Sequence, residues 1–243
     1  FLAVVVGASL TLFAWRAPRV ALGGRMELVS RESFLLANSV LLVVATAAVL
    51  LGTIYPLIID ALNLGKLSVG PPYFNAVFAP LLVPVVFLII PGSVARWRDA
   101  NVRDIAWKLR WTFAGALGLA LVLPFALGAW SMGAAFGLFL GLWVALGTTQ
   151  QVWERVNKPG RIAASFWGQH IAHLGMAVLV IGVTGVKSYE VERDVRMQIG
   201  DVVTIEPYTF RLNSLDEVRG PNYKAVRADV QVLRNDKIIE ILQ

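Results

Sequence analysis

Long apolar stretches are the feature that most constrains the fold of this chain. Five of them are each about 20 residues long, which is the length that crosses a hydrocarbon core about 30 Å thick. They cover residues 35–59, 74–95, 111–129, 132–149 and 166–186, and residues 1–14 form a sixth that begins in mid-stretch. The chain is 57% hydrophobic and only 16% charged, whereas ordinary soluble domains are about 25% charged. We therefore expect residues 1–186 to form an all-α polytopic membrane helix bundle.

The cationic residues are concentrated in alternate connections between these stretches. They are Arg16, Arg19, Arg25 and Arg31; Arg96, Arg98, Arg103, Lys108 and Arg110; and Arg155, Lys158 and Arg161. The opposite connections contain one cation, Lys66. Basic loops face the cytoplasm in membrane proteins, so the segment after Val186 is expected on the outer side. Membrane topology thus accounts for the net charge of +6, and we expect no nucleic-acid partner.

The last part of the chain, residues 187–243, has a different composition and is expected to form a small extracytoplasmic antiparallel β domain. Residues 226–232 alternate between apolar and polar side chains, which predicts that the valines and Ala228 are buried and the polar residues exposed. A turn at Asn235-Asp236 leads into a strand at 237–242. Further strands are predicted at 202–205 and 208–212, a turn at Gly200-Asp201, and a charged, strand-like run at 188–197.

The two ends of the sequence and the motifs that it lacks limit the classes of protein to which this chain can belong. The first residue is not Met and no polar segment precedes it, so we expect an interior to C-terminal fragment of a longer protein, truncated at both ends. The chain contains no cysteine, which rules out disulfides and thiolate metal sites within it. The phosphate-binding, zinc-protease and serine-hydrolase motifs are also missing from it.

The only two histidines, His170 and His173, lie in the last apolar stretch. At about 100° per residue they are about 60° apart on a helix, so both can face one cavity. They cannot be opposite axial ligands of the same haem, because both approach it from one side. Ionisable residues within a membrane span are candidates for function. A second ligand can come from outside this chain, or each histidine can simply hydrogen-bond to a neighbouring helix.

Two other features have a structural and a functional interpretation. Most tryptophans lie near the predicted helix ends, as expected of interfacial residues; they include Trp15, Trp97, Trp111, Trp130, Trp153 and Trp167. In the loop 68–75, Pro71-Pro72 can stiffen an outer connection while Tyr73-Phe74 anchors the next helix. Alternatively, this loop is a wall of an outer haem pocket.

Several motifs resemble those of one known family. They are GASLTLFAWRAP (7–18), SRES (30–33), LGTIYP (51–56), LGKLSVGPPYFN (64–75), AHLG (172–175), SYEVERDVRM (188–197) and EVRGPNY (217–223). Their order and spread over the chain are similar to those of CcmF, the membrane subunit of the bacterial cytochrome c haem lyase. Residues 96–153 are the least diagnostic part of the resemblance.

The resemblance implies a multi-pass protein of the bacterial inner membrane with a periplasmic β domain, acting in cytochrome c maturation. Such proteins receive haem from the chaperone CcmE and apocytochrome c from CcmH-type subunits, and they join haem to the cysteines of the apocytochrome. They also carry a b-type haem as an electron relay, for which quinol is a candidate reductant. By position in the AHLG motif, His173 corresponds to one axial ligand of that haem iron, whereas His170 has no such correspondence.

The family's tryptophan-rich haem-handling motif and its flanking histidines have no counterpart in this chain, nor does the second axial ligand. The resemblance therefore implies that this fragment alone does not catalyse ligation, and it identifies no catalytic residue within it. Two other functions are compatible with the residues themselves. One is a haem transporter, which predicts inverted repeats and broken helices; the other is a non-catalytic haem- or quinone-binding subunit of a respiratory assembly.

Overall fold

The computed structural model describes residues 1–17, 27–128, 130–235 and 237–242. The chain divides into two compact units, Phe1–Ser188 and Tyr189–Gln243, and each is described by itself. Arg19 and Arg25 of the first basic loop, Ala129 at the end of one predicted crossing, and Asp236 of the predicted turn lie outside the described residues.

The first unit is built from helices. They are α1 (Leu2–Arg16), α2 (Arg31–Ala61), α3 (Pro71–Val94), α4 (Val102–Ala126), α5 (Met132–Val156) and α6 (Ala164–Tyr189). Helices α2 to α6 are long and apolar enough to cross a membrane, and α1 is a shorter apolar helix. The expected polytopic helix bundle is therefore confirmed, with five candidate crossings among the described residues.

The helices begin and end at capping residues and not where the apolar stretches stop. Asn101 caps α4, its Oδ1 accepting a hydrogen bond from the Arg103 amide at 2.8 Å, so α4 begins nine residues before the predicted start of that crossing. Helix α5 likewise continues to Val156. One pair of charges in these extensions joins the two helices, since Lys108 Nζ of α4 lies 2.8 Å from Glu154 Oε2 of α5. A charged turn can thus remain helical beyond the apolar stretch.

Helix α5 lies at the centre of the bundle and supplies much of its core. Leu140, Trp143 and Val144 of α5 pack with side chains of α3, α4 and α6, namely Val86, Ile90, Leu109, Ala116 and Ala177. Trp143 is 2% exposed, and its Nε1 donates to the Phe87 carbonyl at 2.9 Å. It differs from the six tryptophans singled out in the sequence, which are all at least 41% exposed.

Glycines allow α5 to approach its neighbours closely. A methyl group on Gly147 would lie 2.7 Å from the Ile90 side chain of α3, and one on Gly141 would lie 2.5 Å from Ile181 of α6. One on Gly137 would collide with Thr184 of α6. Small residues at such positions let membrane helices gain van der Waals contact, which is a main source of their association in lipid.

Tyr73, in the first turn of α3, connects that helix to α2. Its hydroxyl donates to the Ala48 carbonyl at 2.9 Å, and its ring fills the space beside Gly52. Pro71 and Pro72 occupy the first positions of α3, where the missing amide hydrogen has no cost. These contacts support the anchoring interpretation of the 68–75 loop.

The contact between Gly52 and Tyr73 predicts that Gly52→Ala destabilises the full-length protein. The new methyl group would overlap the ring, which costs about 1–3 kcal/mol. Gly118→Ala is the matched control, because its methyl group would meet nothing within 4 Å and alanine favours a helix by about 1 kcal/mol. Thermal unfolding in detergent should show a lower midpoint for the first variant only. Equal midpoints would contradict the proposed contact.

The second unit contains one antiparallel sheet in the order β1-β2-β3-β4. Its strands are β1 (Val202–Ile205), β2 (Tyr208–Arg219), β3 (Lys224–Arg234) and β4 (Lys237–Leu242). Val202 pairs with Arg211, Leu212 with Val230, and Arg234 with Lys237. A turn at Gly200, whose φ is +95°, precedes β1. The predicted antiparallel β fold is therefore confirmed.

Two details of the predicted β unit are wrong. The run 188–197 forms no strand, although its composition suggested one: Ser188 and Tyr189 end α6, and residues 190–197 belong to no helix or strand. In β3 the expected alternation of burial is also not found: Val226 is 64% exposed, and residues 228–232 are all half-buried. The described residues of this unit form one sheet without a second layer, so neither face is fully covered; Leu212 and Leu233 are its buried apolar side chains.

Positions for testing the membrane topology can be chosen from this fold. Ser68 between α2 and α3 and Asn157 after α5 are both exposed, and the basic loops predict that they lie on opposite sides of the membrane. In a full-length protein without other cysteines, Ser68→Cys should react with an impermeant maleimide in intact cells. Asn157→Cys should react only after the cells are permeabilised. The reverse pattern would invert the predicted topology.

Candidate functional site

Helix α6 carries both histidines and contacts α5 along part of its length. Ala177, Ile181 and Thr184 face α5, whereas a methyl group added to Gly168 or Gly175 would meet nothing within 4 Å. Residues 164–186 contain no Asp, Glu, Lys or Arg, so the two imidazoles are the ionisable side chains of this segment. At 1.5 Å per residue, His173 is about 14 Å from the start of the helix, well within the span.

The side chain of His170 is buried and contacts a residue of its own helix. It is 3% exposed, and its ring lies against Phe166 with 3.9 Å between the ring centroids. Its Nδ1 is 2.7 Å from the Phe166 carbonyl oxygen, which makes Nδ1 the donor and leaves the lone pair of a neutral ring on Nε2. That Nε2 is buried without a hydrogen-bond partner.

His173 is half-buried and faces a cavity, which His170 does not line. The two ring centroids are 6.3 Å apart, and the Nδ1 of His173 is buried without a hydrogen-bond partner. The hydrogen bond from a ring nitrogen to a backbone carbonyl is thus made by His170 and not by His173.

The cavity has a volume of about 310 Å³ and lies between α2, α3 and α6. Its apolar walls come from Phe34, Leu35, Leu88, Ile89 and Gly92, and its polar side chains are Arg31, Asn38, Ser93, Gln169 and His173. Ser93 is fixed by two hydrogen bonds, accepting from Gln151 Nε2 and donating to the Ile90 carbonyl, each at 2.8 Å. The lining thus combines apolar side chains with one imidazole, one cation and three uncharged polar side chains.

The segments before α2 and after α3 are joined by backbone hydrogen bonds; we call residues 27–31 and 96–100 the clasp. The Glu27 amide donates to the Arg98 carbonyl at 3.1 Å, the Ala100 amide to Val29 at 2.8 Å, and the Arg31 amide to Arg96 at 2.9 Å. The Glu32 carboxylate also accepts from the Arg98 amide at 2.8 Å. The clasp fixes the backbone of Arg31 at the edge of the cavity.

The donor set of the site fits haem better than a bare metal ion. Within residues 1–17, 27–128, 130–235 and 237–242 no group of three or more His, Cys, Asp or Glu side chains could hold a metal ion. Haem brings four nitrogen ligands of its own and needs only axial ligands from the protein. An imidazole with an unpaired nitrogen, on an apolar cavity within a membrane span, is suited to that role.

Of these site residues, the sequence identified the histidines but not the polar side chains that join His173 at the cavity. Arg31 was assigned only to a basic loop. Among these polar side chains, Asn38 and Gln169 could have been identified from the sequence, because uncharged amides inside predicted crossings are unusual and often functional. Ser93 carries no such signal, since it lies at the end of α3.

The helices, the small sheet and the apolar cavity define a multi-pass membrane protein with an extra-membrane β unit. A family model described as the CcmF C-terminal beta-sandwich matches residues 188–243. The chain is 38% identical to the cytochrome c-type biogenesis protein CcmF of Pseudomonas fluorescens over 248 residues, covering 100% of this chain and 37% of that protein. It is 40% identical to CcmF of Escherichia coli (strain K12) over 238 residues, covering 98% and 37%.

A solved structure titled cytochrome c heme lyase CcmF matches with a TM-score of 0.62 at 23% identity, covering 88% of this chain and 35% of that one. This match supports the fold. The sequence identities over nearly the whole chain establish the relationship: the chain belongs to the CcmF family of cytochrome c-type biogenesis proteins. It spans 37% of the length of the two curated relatives.

Proposed function

We propose that this chain is part of a cytochrome c haem lyase of the bacterial inner membrane, which attaches haem to apocytochrome c at the outer face. The relatives matching it along its whole length are named as cytochrome c-type biogenesis proteins. Within the structure, the cavity at His173 supports the proposal, because it offers an imidazole and apolar walls. Since the chain spans 37% of its relatives, ligation is proposed for the whole protein and not for this segment alone.

We propose that His173 is an axial ligand of a b-type haem within the bundle. A histidine that ligates metal commonly donates its other ring N–H to a carbonyl. His170 meets that criterion and is therefore the alternative candidate for the axial ligand. His173 is preferred because it lines the cavity, whereas His170 is 3% exposed and does not. The other axial ligand would come from outside this chain, since these two histidines share one helix and one side of the haem.

The residues around His173 have separate roles in this proposal. Phe34, Leu35 and Leu88 supply apolar surface for the ring of the ligand. When bound, haem supplies one-electron transfer, and its depth in the bundle suits an electron relay. Quinol within the membrane is the proposed reductant.

The proposed partners act on the outer side of the membrane. We propose that the β unit lies in the periplasm, where apocytochrome c is presented, because the basic loops predict that the segment after Val186 is on the outer side. We propose that a CcmH-type subunit delivers the apocytochrome and that the chaperone CcmE delivers the haem to be attached. The protein is otherwise surrounded by membrane lipid.

The test compares two variants of the full-length purified protein. His173→Ala should remove or strongly alter the b-type absorption spectrum, because the iron loses a ligand. His170→Ala should largely preserve it, and haem content is normalised to the monodisperse fraction so that unfolding is not counted as haem loss. Loss of haem in His170→Ala alone would transfer the ligand role to that residue. Normal haem in both variants would overturn the proposed haem site.

A further inference from the structure

Arg31 is the single formally charged side chain among the residues that line the His173 cavity. Its guanidinium is half-buried and has no described carboxylate within 4.0 Å; its described side-chain contact is the face of Trp97, 5.1 Å from the ring centroid. The neighbouring Glu32 forms no ion pair with Arg31; its Oε2 accepts from the Arg98 amide at 2.8 Å. The cavity therefore holds a cation that is not paired with any described carboxylate.

The position of Arg31 is fixed by the structure around it. Ser30, which is fully buried, caps α2 by accepting from the Ser33 amide at 3.2 Å. The Arg31 amide is held in the clasp by the Arg96 carbonyl. A guanidinium on such a fixed backbone loses less conformational entropy when it binds an anion than one on a free loop. The fixed backbone of Arg31 therefore suits its guanidinium to binding an anionic group of a ligand.

The positive charge of the cavity lies at one end of it, as seen along α2. Arg31 lies at the cytoplasmic end that the basic loops predict, and Asn38 is seven residues further on, so both face the same side of the helix about 10 Å apart along its axis. His173 contributes the imidazole from α6 across the cavity. A ligand that fills this space meets an imidazole, apolar walls and a guanidinium at one end.

We infer that Arg31 binds a carboxylate of the ligand held at His173. This inference rests on the proposed function, and for haem the carboxylate is a propionate. A carboxylate within the membrane is costly unless it is paired, and arginine can pair with it through two parallel hydrogen bonds. The propionate edge of the haem is then directed towards the clasp, and Arg31 sets the orientation of the ring.

The test uses haem and haem dimethyl ester, in which both propionates are neutral. Haem-depleted full-length protein is titrated with each compound by absorbance. Wild-type protein should bind haem about tenfold or more tightly than the ester, because the ester cannot form the charged pair. Arg31→Gln should lose affinity for haem by that factor and keep its affinity for the ester, so that the preference disappears.

Arg103→Gln is the matched control, because it removes the same charge from the same side of the protein at a residue that does not line the cavity. It should keep the wild-type preference for haem. An unchanged preference in Arg31→Gln would overturn the inference, as would an equal loss of affinity for both compounds, which indicates a structural role. If His173→Ala binds haem as the wild type does while Arg31→Gln still loses the preference for haem over the ester, the proposed ligation by His173 fails and the pairing of Arg31 with a propionate stands.

Discussion

The close approach of α5 to its neighbours is the constraint on which the helical unit depends. Membrane helices gain little from the hydrophobic effect when they associate, so contact between backbones must come from small residues. Gly147 admits Ile90 of α3, while Gly137 and Gly141 admit Thr184 and Ile181 of α6. Trp143 then fills the space between α3 and α4. Without these contacts α6 would have no fixed position, and neither would its histidines.

Packing on α5 also determines which histidine can meet a ligand. Helix α6 presents Ala177 and Ile181 to α5, which leaves His173 beside the cavity towards α2 and α3 and directs His170 into a buried contact with Phe166. Two residues only three positions apart thus have different environments. A cavity with one imidazole and one guanidinium can select an amphiphilic ligand at two points. The imidazole is suited to the metal of the ligand, and the guanidinium is suited to its negative charge.

The sequence was sufficient for the elements of the fold but not for their ends. Apolar stretches of membrane-spanning length indicated the helices, and β1 and β4 were predicted at their observed residues. The start of α4 was missed because Asn101 caps it upstream of the apolar stretch and because Lys108 in that extension pairs with Glu154 of α5. The burial of β3 was also missed, since burial depends on what covers a sheet and alternation alone does not supply that information.

The site was predictable only where its signal is local. An imidazole in an apolar helix stands out in the sequence, so both histidines were identified, and His173 was preferred only through the resemblance at the AHLG motif. The role of Arg31 depends on α2, α3 and α6 meeting at one cavity, which no pattern within SRES indicates. The bond from His170 to the Phe166 carbonyl likewise depends on a rotamer, and the sequence carries no information about it.

The clasp has a mechanical consequence. Tyr73 joins α2 and α3 near one end of the pair, and the backbone bonds between residues 27–31 and 96–100 join them at the other. A pair of helices fastened at both ends resists both sliding and scissoring. Exchange of a bulky ligand is therefore expected to shift α6, which is held against α5 by side-chain packing, while α2 and α3 stay in place.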